Sequence, residues 1–497
     1  MKKNDLKYSL LRQYFGHSSF RPGQEAIIDE ILKGRDVLGI LPTGTGKSLC
    51  CQLPALIFTG LTIVVTPLIA LMQNQTDILG RRGIPAAMLS SGSPPGQRRN
   101  IYEAALSGRL KLLYVSPERL QSPDFLSFAA ALCRTGAPGI SMICIDEAHC
   151  ISRWGHDFRP SYLNIRDFAA FLERKGQRPR MAAFTATASP DVRSDILAFG
   201  GLRRPFIYTG GFDRPNLYYE VRRPKHRYAE LLRTVRHYRH LSGIIYCSTR
   251  KNTEAAARFL SSHQIPCGIY HAGMTIPERE AAQKAWIEDR VPVIAATSAF
   301  GMGIDKPDVR FVIHFNMPAD PDAYYQEAGR AGRDGAPSDC ILFYNARDAA
   351  TARFFIAGIR SAEKKAHAEE DLFIMRSYAS GRTCLRASLL SYYGQHAAPF
   401  CGNCSVCLMA APGRKSVPAG TEDPSLYREL AALRKRTAAA RGLLPSQIFP
   451  DRALHSMAAR RPASLIQMAA MEDVSLWKTI KYGAEFLKEI RAAAQDS

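Results

Sequence analysis

LPTGTGKS, at residues 41–48, lies between a short apolar run that ends at Ile40 and a segment able to begin a helix. This order of strand, glycine-containing turn and helix is the context of a phosphate-binding loop. Gly44 and Gly46 allow the backbone to turn tightly, so that successive amide groups converge on phosphate oxygens. Lys47 is then expected to reach the β- and γ-phosphates of ATP, and the Ser48 hydroxyl to bind Mg²⁺. An ordinary glycine-rich turn is the alternative, because a leucine stands at 41 where the strict pattern has glycine.

Composition predicts a basic globular protein of about three or four domains, because a chain of 497 residues is too long to fold around one hydrophobic core. Lys and Arg exceed Asp and Glu by 66 − 45 = 21, which favours a polyanionic partner, with nucleic acid the leading candidate over scattered charge. No apolar run reaches the ~20 residues of a membrane span, and no secretory signal is recognisable. Eight of the 12 cysteines are scattered through apolar segments, which indicates a reducing, cytoplasmic location.

The first alternating block, residues 1–203, predicts a parallel α/β sheet. Apolar runs buried on both faces alternate there with helix-like segments, and ligands of such sheets bind at the carboxyl ends of the strands. The predicted strands are 36–40, 61–66, 110–115, 141–145 and 181–185, and the predicted helices between them include 68–79 and 124–133.

Acidic and hydroxyl side chains follow two of these strands. Asp146 and Glu147 come directly after the strand 141–145. We expect Asp146 to hold Mg²⁺ and Glu147 to orient or deprotonate the attacking water; a helix cap is the alternative for this pair. Thr185 and Thr187 end another strand at the same edge. Upstream, Arg21 and Gln24 offer a guanidinium and an amide suited to an adenine edge.

The second alternating block, residues 204–345, predicts another sheet of the same kind without a phosphate-binding loop. We expect this lobe to close on the first and to complete its ATP site. Arg330 and Arg333, in the segment QEAGRAGRDG at 326–335, are three residues apart and are predicted to share one helix face turned to the cleft. Arg333 is the expected arginine finger, and Gln326 belongs to the same catalytic segment. Residues 248–251, with Arg250, are predicted to contact phosphates.

Four cysteines form a C-x16-C-x2-C-x2-C pattern within residues 346–410. They are Cys384, Cys401, Cys404 and Cys407. Four closely spaced thiolates in a reducing compartment favour a structural Zn²⁺ site; an iron–sulfur cluster and a disulfide pair are the alternatives. The helix-like segment 348–378 precedes the first cysteine, so we expect zinc to staple a helical hairpin to the second lobe.

Taken in order, these motifs resemble those of RecQ-family DNA helicases. The resemblance rests on FRPGQ at 20–24, LPTGTGKS at 41–48, TPLIA at 66–70, SPER at 116–119, DEAH at 146–149 and CISRWGHDFRP at 150–160. It implies two RecA-like lobes, ATP and Mg²⁺ as cofactors, zinc at the four cysteines and 3′-to-5′ movement along DNA. The residues expected to contact the nucleotide are then Arg21, Gln24, Thr43, Gly44, Thr45, Gly46, Lys47, Ser48 and Asp305.

The resemblance also implies the DNA contacts. The segment 150–160 is similar to the family's aromatic-rich loop, in which Trp154 and Phe158 would stack on bases and Arg159 would meet the backbone. His156 would link DNA occupancy to the ATP site, and Thr297 would contact the DNA backbone. His17 and Arg153 replace the usual tyrosine and glutamine of the family.

Residues 425–497 follow a flexible linker at 411–424 and resemble an HRDC domain. Helical periodicity returns there through Leu426, Leu430, Leu433, Leu465, Met468, Met471, Tyr482 and Phe486. DNA binding and protein contact are both open functions for this bundle. Only 17 residues separate Cys407 from Ser425, too few for the winged helix of many relatives, so strand separation is expected to use the aromatic-rich loop or the zinc hairpin.

The sequence therefore predicts an α/β protein of two RecA-like lobes, a helical zinc-binding module and a small all-α C-terminal domain. The expected function is ATP-dependent unwinding of DNA in repair or recombination; the alternatives are a DEAH-type RNA helicase and a DNA-stimulated ATPase, annealing factor or switch that unwinds little. Expected partners are single-stranded and tailed duplex DNA and single-strand-binding or recombination proteins, with no membrane. The expected state is a monomer in the cytoplasm, at the nucleoid in a bacterium.

Overall fold

The computed structural model describes residues 3–42, 44–90, 92–152, 158–301, 306–381, 383–395, 397–410, 423–441, 443–462, 468, 471, 474 and 476–493. Its first lobe is built on a seven-stranded, all-parallel sheet with strand order β3-β4-β2-β5-β6-β1-β7. The strands are β1 Val37–Ile40, β2 Leu61–Val65, β3 Ala86–Leu89, β4 Leu112–Val115, β5 Ile140–Ile145, β6 Arg180–Thr185 and β7 Phe206–Thr209.

Helices cover both faces of this sheet, which is why its central strands are apolar throughout. Residues of α1 to α4 pack on one face and residues of α5 to α8 on the other. The helices are α1 Lys3–Phe15, α2 Gln24–Leu32, α3 Lys47–Ile57, α4 Ile69–Arg81, α5 Pro95–Leu106, α6 Pro123–Leu132, α7 Asn164–Arg174 and α8 Pro190–Phe199, with 3₁₀ turns at Pro117–Gln121, Ala148–Ile151 and Pro160–Leu163.

The second lobe has a six-stranded parallel sheet with strand order β10-β11-β9-β12-β13-β8. Two of its helices begin at side-chain caps of these kinds: the Thr249 hydroxyl accepts from Asn252 N at the start of α10, and Thr275 and Glu278 form a capping box at α11. The strands are β8 Leu217–Arg222, β9 Gly243–Tyr246, β10 Cys267–Tyr270, β11 Val293–Ala296, β12 Phe311–His314 and β13 Ser338–Phe343, and the helices are α9 Arg227–His237, α10 Arg250–Ser262, α11 Ile276–Ile287 and α12 Pro321–Ala328.

The two parallel sheets confirm the predicted fold class, but the boundary between the blocks differs from the prediction. β7 lies after residue 203 and pairs with β1, so the first sheet continues to Thr209. The linker to β8 is therefore only the segment 210–216. Sequence reasoning also passed over β3, β8 and β13, which are short or partly polar.

Four helices follow the second sheet and pack against it. The predicted helical segment 348–378 is two helices, because α13 ends at Ala357 with Gly358 as its C-cap, and Ser361 caps α14. Buried side chains of α14 and α15, among them Met375, Tyr378 and Leu385, share a core with Leu217 of β8. The helices are α13 Ala346–Ala357, α14 Ala362–Ser380, α15 Leu385–Tyr392 and α16 Ser405–Ala410.

The C-terminal helices form a separate hydrophobic core. Of the periodic apolar residues predicted here, Leu426, Leu430, Met468, Tyr482 and Phe486 are all buried in it. Leu465 lies outside the described residues. The helices are α17 Pro424–Ala440, α18 Pro445–Ile448, α19 Asp451–Arg460 and α20 Leu476–Ala493. No helix in the described part of the chain is long and apolar enough to cross a bilayer.

Candidate ATP site and zinc module

The phosphate-binding loop joins β1 to α3. Gly44 and Gly46 both have φ of 81°, a left-handed conformation that a side chain disfavours. Gly46 precedes the first turn of α3, so Lys47 and Ser48 are the first residues of that helix. The Thr45 hydroxyl donates to Pro42 O (2.7 Å) and closes the turn. Free amides of the loop and of the helix N-terminus are suited to bind a phosphate group. Thr43 lies outside the described residues.

Arg21 and Gln24 hold this loop from the side of α2. Gln24 Nε2 donates to Thr45 O (2.9 Å) and Gly46 O (3.1 Å), and the Arg21 guanidinium donates to Gly44 O. Gln24 Oε1 in turn accepts from Arg21 N (2.8 Å). The sequence suggested an adenine contact for this pair; the structure adds a second role, as supports of the loop backbone.

Asp146 and Glu147 lie beyond the end of β5. Asp146 N donates to Val65 O (2.9 Å), and the hydroxyl of the buried Tyr162 donates to Asp146 O (3.0 Å), which fixes the backbone here. Burial and the neighbouring Glu147 carboxylate raise the pKa of Asp146 to about 6, while the positive charge of Lys47 opposes the rise. The ammonium and the two carboxylates therefore act on one another at one edge of the sheet, as the sequence predicts.

A chain of polar contacts runs from these carboxylates to the second lobe. His149 Nδ1 lies 3.4 Å from Glu147 Oε2 and 3.1 Å from Thr185 Oγ1. The Thr185 hydroxyl donates to Thr187 O (2.8 Å), and Gln326 Nε2 of α12 donates to the Thr187 hydroxyl (3.0 Å). The last bond crosses between the lobes. Sequence reasoning singled out Thr187 and Gln326 separately but had no signal that joined them.

Arg330 and Arg333 do not share a helix face, which corrects the prediction. α12 ends at Ala328, and a turn that includes Gly332 with φ of 55° carries both arginines. A Cβ atom built on Gly44 would lie 3.5 Å from Arg333 Cγ, so Arg333 lies directly against the phosphate-binding loop. A Cβ atom on Gly301 would lie 2.6 Å from Arg330 Nη2, so Arg330 is packed within its own lobe.

Four of the predicted DNA-contacting residues lie in the described part of the chain: Phe158, Arg159, Arg250 and Thr297. The Phe158 ring has the Lys364 ammonium 4.5 Å from its centroid, and Arg159 Nη1 donates to Pro67 O (3.0 Å). Arg250 begins α10 with its guanidinium beside Gly273, and the half-buried Thr297 follows β11. Trp154, His156 and Asp305 lie outside the described residues.

The four cysteine sulfurs form a compact cluster. They lie within 4.8 Å of one another, with Cys401 to Cys407 and Cys384 to Cys404 each 3.9 Å apart. Four thiolates about 2.3 Å from a tetrahedral Zn²⁺ are separated by roughly this distance. Backbone amides also point at the sulfurs, as from Asn403 N to Cys401 Sγ (3.3 Å). The neighbouring Cys401 thiol lowers the pKa of Cys404 to about 4. The donor set therefore fits zinc.

Side chains of this module fasten it to the second lobe and to the linker between the lobes. The buried Arg386 donates to Arg214 O (2.7 Å) and is paired with Asp213, and Asn403 Nδ2 donates to Pro215 O (3.1 Å). Gln395 accepts from Phe212 N (2.9 Å) and donates to Gly210 O (3.1 Å). Sequence reasoning missed these contacts, since their partners are more than 170 residues away.

Family models match the chain in four consecutive segments. They are described as DEAD/DEAH box helicase for residues 21–195, helicase conserved C-terminal domain for 226–335, RecQ zinc-binding for 346–408 and HRDC domain for 423–490. The RecQ zinc-binding match contains all four clustered cysteines.

Similar proteins agree with these models. The ATP-dependent DNA helicase RecQ of Pasteurella multocida is 42% identical over 80% of this chain and 62% of its own length, so the chain spans under two thirds of that relative. The protein of the same name from Bacillus subtilis is 32% identical over 98% of both chains. Among solved structures, Mycobacterium smegmatis helicase Lhr bound to single-stranded DNA and AMP-PNP aligns with a TM-score of 0.54 and 19% identity, over 78% of this chain and 55% of that one.

The fold and the site define a two-lobed helicase-type protein, with a phosphate-binding loop in the first RecA-like lobe and a cysteine cluster that fits zinc on a helical module. Within this class, the two relatives that are 42% and 32% identical to this chain identify the family. The chain belongs to the RecQ family.

Proposed function

We propose that this protein is an ATP- and Mg²⁺-dependent DNA helicase that moves 3′ to 5′ along one strand and separates duplexes. The observation that carries the proposal is the position of Arg333 of the second lobe against Gly44 of the phosphate-binding loop. A site completed by two lobes is lost when they part, so the ATP state controls how the lobes are placed on DNA.

Each side chain of the ATP site has a proposed role. The amides of Gly44 to Gly46, with Lys47, hold the triphosphate, and Ser48 with Asp146 would hold Mg²⁺. Bound Mg²⁺ would neutralise phosphate charge during transfer. Glu147 orients the attacking water, and Arg333 stabilises the charge that develops on the γ-phosphate. Gln326 donates a hydrogen bond to Thr187 and so couples lobe closure to the chain of contacts that ends at Glu147.

The DNA strand is proposed to cross the edge where the strands of both sheets end. Arg250 and Thr297 follow β9 and β11, and Phe158 and Arg159 follow β5. Trp154 and His156 stand in the sequence of the same aromatic-rich loop as Phe158. The net charge of +21 favours binding to the phosphate backbone without sequence preference. Asp305 is proposed to contact the nucleotide.

Strand separation without a winged helix remains part of the proposal. The RecQ zinc-binding match ends at residue 408 and the HRDC match begins at 423, which leaves a short segment between them. The alignment with the Bacillus subtilis relative also runs over 594 residues, more than the 497 of this chain. Both observations support an internal difference from longer relatives.

The names of the relatives support a proposed cellular setting. We propose action on single-stranded and tailed duplex DNA in repair or recombination, as a monomer in the cytoplasm or at the nucleoid, beside single-strand-binding or recombination proteins. Two of the relatives are named as ATP-dependent DNA helicases, which supports the DNA substrate.

An unwinding assay tests the proposal. A 3′-tailed duplex with a fluorophore and quencher at its blunt end is incubated with ATP and Mg²⁺, and Lys47→Ala serves as the inactive control. We expect strand release by the wild type alone, and no release from a 5′-tailed duplex. Equal release by both proteins would contradict the proposal. A parallel ATPase titration with single-stranded DNA and RNA of one sequence separates the DNA from the RNA helicase.

A further inference from the structure

The last turn of α13 carries two exposed aromatic side chains. Phe354 is 77% exposed and Phe355 is 59% exposed, and among the described residues no other large apolar side chain is as exposed as Phe354. Their rings meet edge to face, with centroids 5.9 Å apart. The opposite face of α13 packs against the second lobe through Ala349, Ala352 and Ile356. The helix is therefore held firmly while it presents both rings to solvent.

The exposed charged side chains of α13 and of the residues just after it are positive, while the carboxylate of Asp348 on α13 is buried. Arg347, Arg353 and Arg360 are exposed on α13 or just after it. Within the described part of the chain, none of the three has a carboxylate oxygen recorded within 4.0 Å. Aromatic faces flanked by free guanidinium groups are the combination that single-stranded nucleic acid binds, because bases stack on the rings while the cations meet phosphates. A partner protein that bound through apolar contacts alone would not need these positively charged side chains.

Residues near this end of α13 and at the start of α14 contact both lobes. Lys364, in the first turn of α14, is 4.5 Å from the ring centroid of Phe158 in the first lobe. Phe355 lines a cavity of about 240 Å³ together with Ser248 and Asn316, which follow β9 and β12 of the second lobe. Phe355 thus lies beside the strand ends of the second sheet, while Lys364, shortly after it in the chain, contacts the aromatic-rich loop.

We infer that Phe354 and Phe355 form a base-stacking platform on the zinc-bearing module, which receives unpaired bases of DNA at the point where the two strands part. This inference rests on the proposed function for its substrate class. It assigns a binding surface to α13 and gives the chain a rigid aromatic element for strand separation. The cations hold the backbone, and the rings compete with base-on-base stacking.

Equilibrium binding tests the platform without requiring unwinding. Fluorescein-labelled 3′-tailed duplex is titrated with the wild type and with the Phe354→Ala/Phe355→Ala double variant, and affinity is read by anisotropy. Phe373→Ala is the matched control, since Phe373 is also an exposed phenylalanine, at 67%, but lies on α14. Phe354→Trp/Phe355→Trp restores aromatic faces. Thermal melting of all four proteins checks the fold.

We expect the double alanine variant to bind the tailed duplex at least fivefold more weakly, with an unchanged melting temperature, and the tryptophan pair and Phe373→Ala to bind like the wild type. Unchanged affinity of the double alanine variant would overturn the platform and leave a protein partner for this surface. Equal loss in Phe373→Ala would also overturn it. A wild type that binds DNA but fails to unwind would contradict the proposed function alone, because the affinity comparison stands independently.

Discussion

Arg333 of the second lobe lies against Gly44 of the first, with its Cγ 3.5 Å from the position that a Cβ atom on Gly44 would take. The two residues are nearly 290 positions apart in the chain, and each belongs to a turn with a left-handed glycine. Contact between them means that the phosphate-binding loop and the arginine turn face one another across the interface between the lobes.

Arg333→Ala is therefore expected to abolish hydrolysis while leaving ATP binding nearly intact. An arginine that stabilises the transferring phosphoryl group contributes on the order of 10³-fold or more to turnover. DNA-stimulated ATPase measures the loss, and a fluorescent ATP analogue measures binding. Arg290→Ala, on the exposed surface of the same lobe, should hydrolyse ATP normally. A parallel loss of nucleotide affinity in Arg333→Ala would argue against a role in the chemical step.

The bond between Gln326 and Thr187 is expected to couple the two lobes. Thr187→Val and Gln326→Leu each remove one partner of the 3.0 Å hydrogen bond, so each should lower the DNA-stimulated turnover number. The double variant should be no slower than the worse single variant, because one interaction can be lost only once. Turnover measured for all four proteins gives the coupling; additive effects would show that the two side chains act separately.

One zinc ion per chain is expected by elemental analysis of the purified protein. Cys404→Ser should release it and lower the melting temperature by several degrees, since the thiolates hold α15 and α16 together. Cys133→Ser, at a half-buried cysteine outside the cluster, should keep the metal. Iron in the wild type, or full metal content in Cys404→Ser, would contradict the zinc assignment.

Stability should fall as pH rises from about 4 to about 8. Burial and the carboxylates of Asp320, Asp322 and Glu370 raise the pKa of Asp371 from 3.8 to about 8. Between these two pH values the folded state holds a proton on Asp371 that the unfolded state has released. The contribution of Asp371 to stability is therefore fully present below the pKa of the unfolded state and is lost as the pH rises through the pKa of the folded state. Asp371→Asn should flatten this part of the pH profile of thermal melting and raise the melting temperature at pH 9. An unchanged profile would show that Asp371 titrates normally.

The two sheets could be predicted because their strands are short apolar runs buried on both faces. Strands such as β9 and β12 contain no exposed residue, so hydrophobicity alone identifies them. The positions of the phosphate-binding loop and of Asp146 and Glu147 could be predicted as well, because these segments directly follow β1 and β5. The cysteine cluster was evident from spacing.

What the sequence could not supply is geometry between distant segments. The helix pattern around Arg330 continued past Ala328, whereas the glycines that follow turn the chain and direct the two arginines differently. Two sets of hydrogen bonds depend on how the lobes and the zinc module pack together. They are the bond between Gln326 and Thr187 and the bonds of Gln395 with Gly210 and Phe212. Local propensity carries no information on such contacts.

The linker of residues 210–216 has a consequence for the kinetics of lobe closure. A fully extended segment of this length spans at most roughly 25 Å, and Gln395 already fixes two of its residues. A linker this short keeps the turn that carries Arg333 at an effective concentration of millimolar order near the phosphate-binding loop of the first lobe. Diffusional encounter of the lobes is therefore expected to be fast.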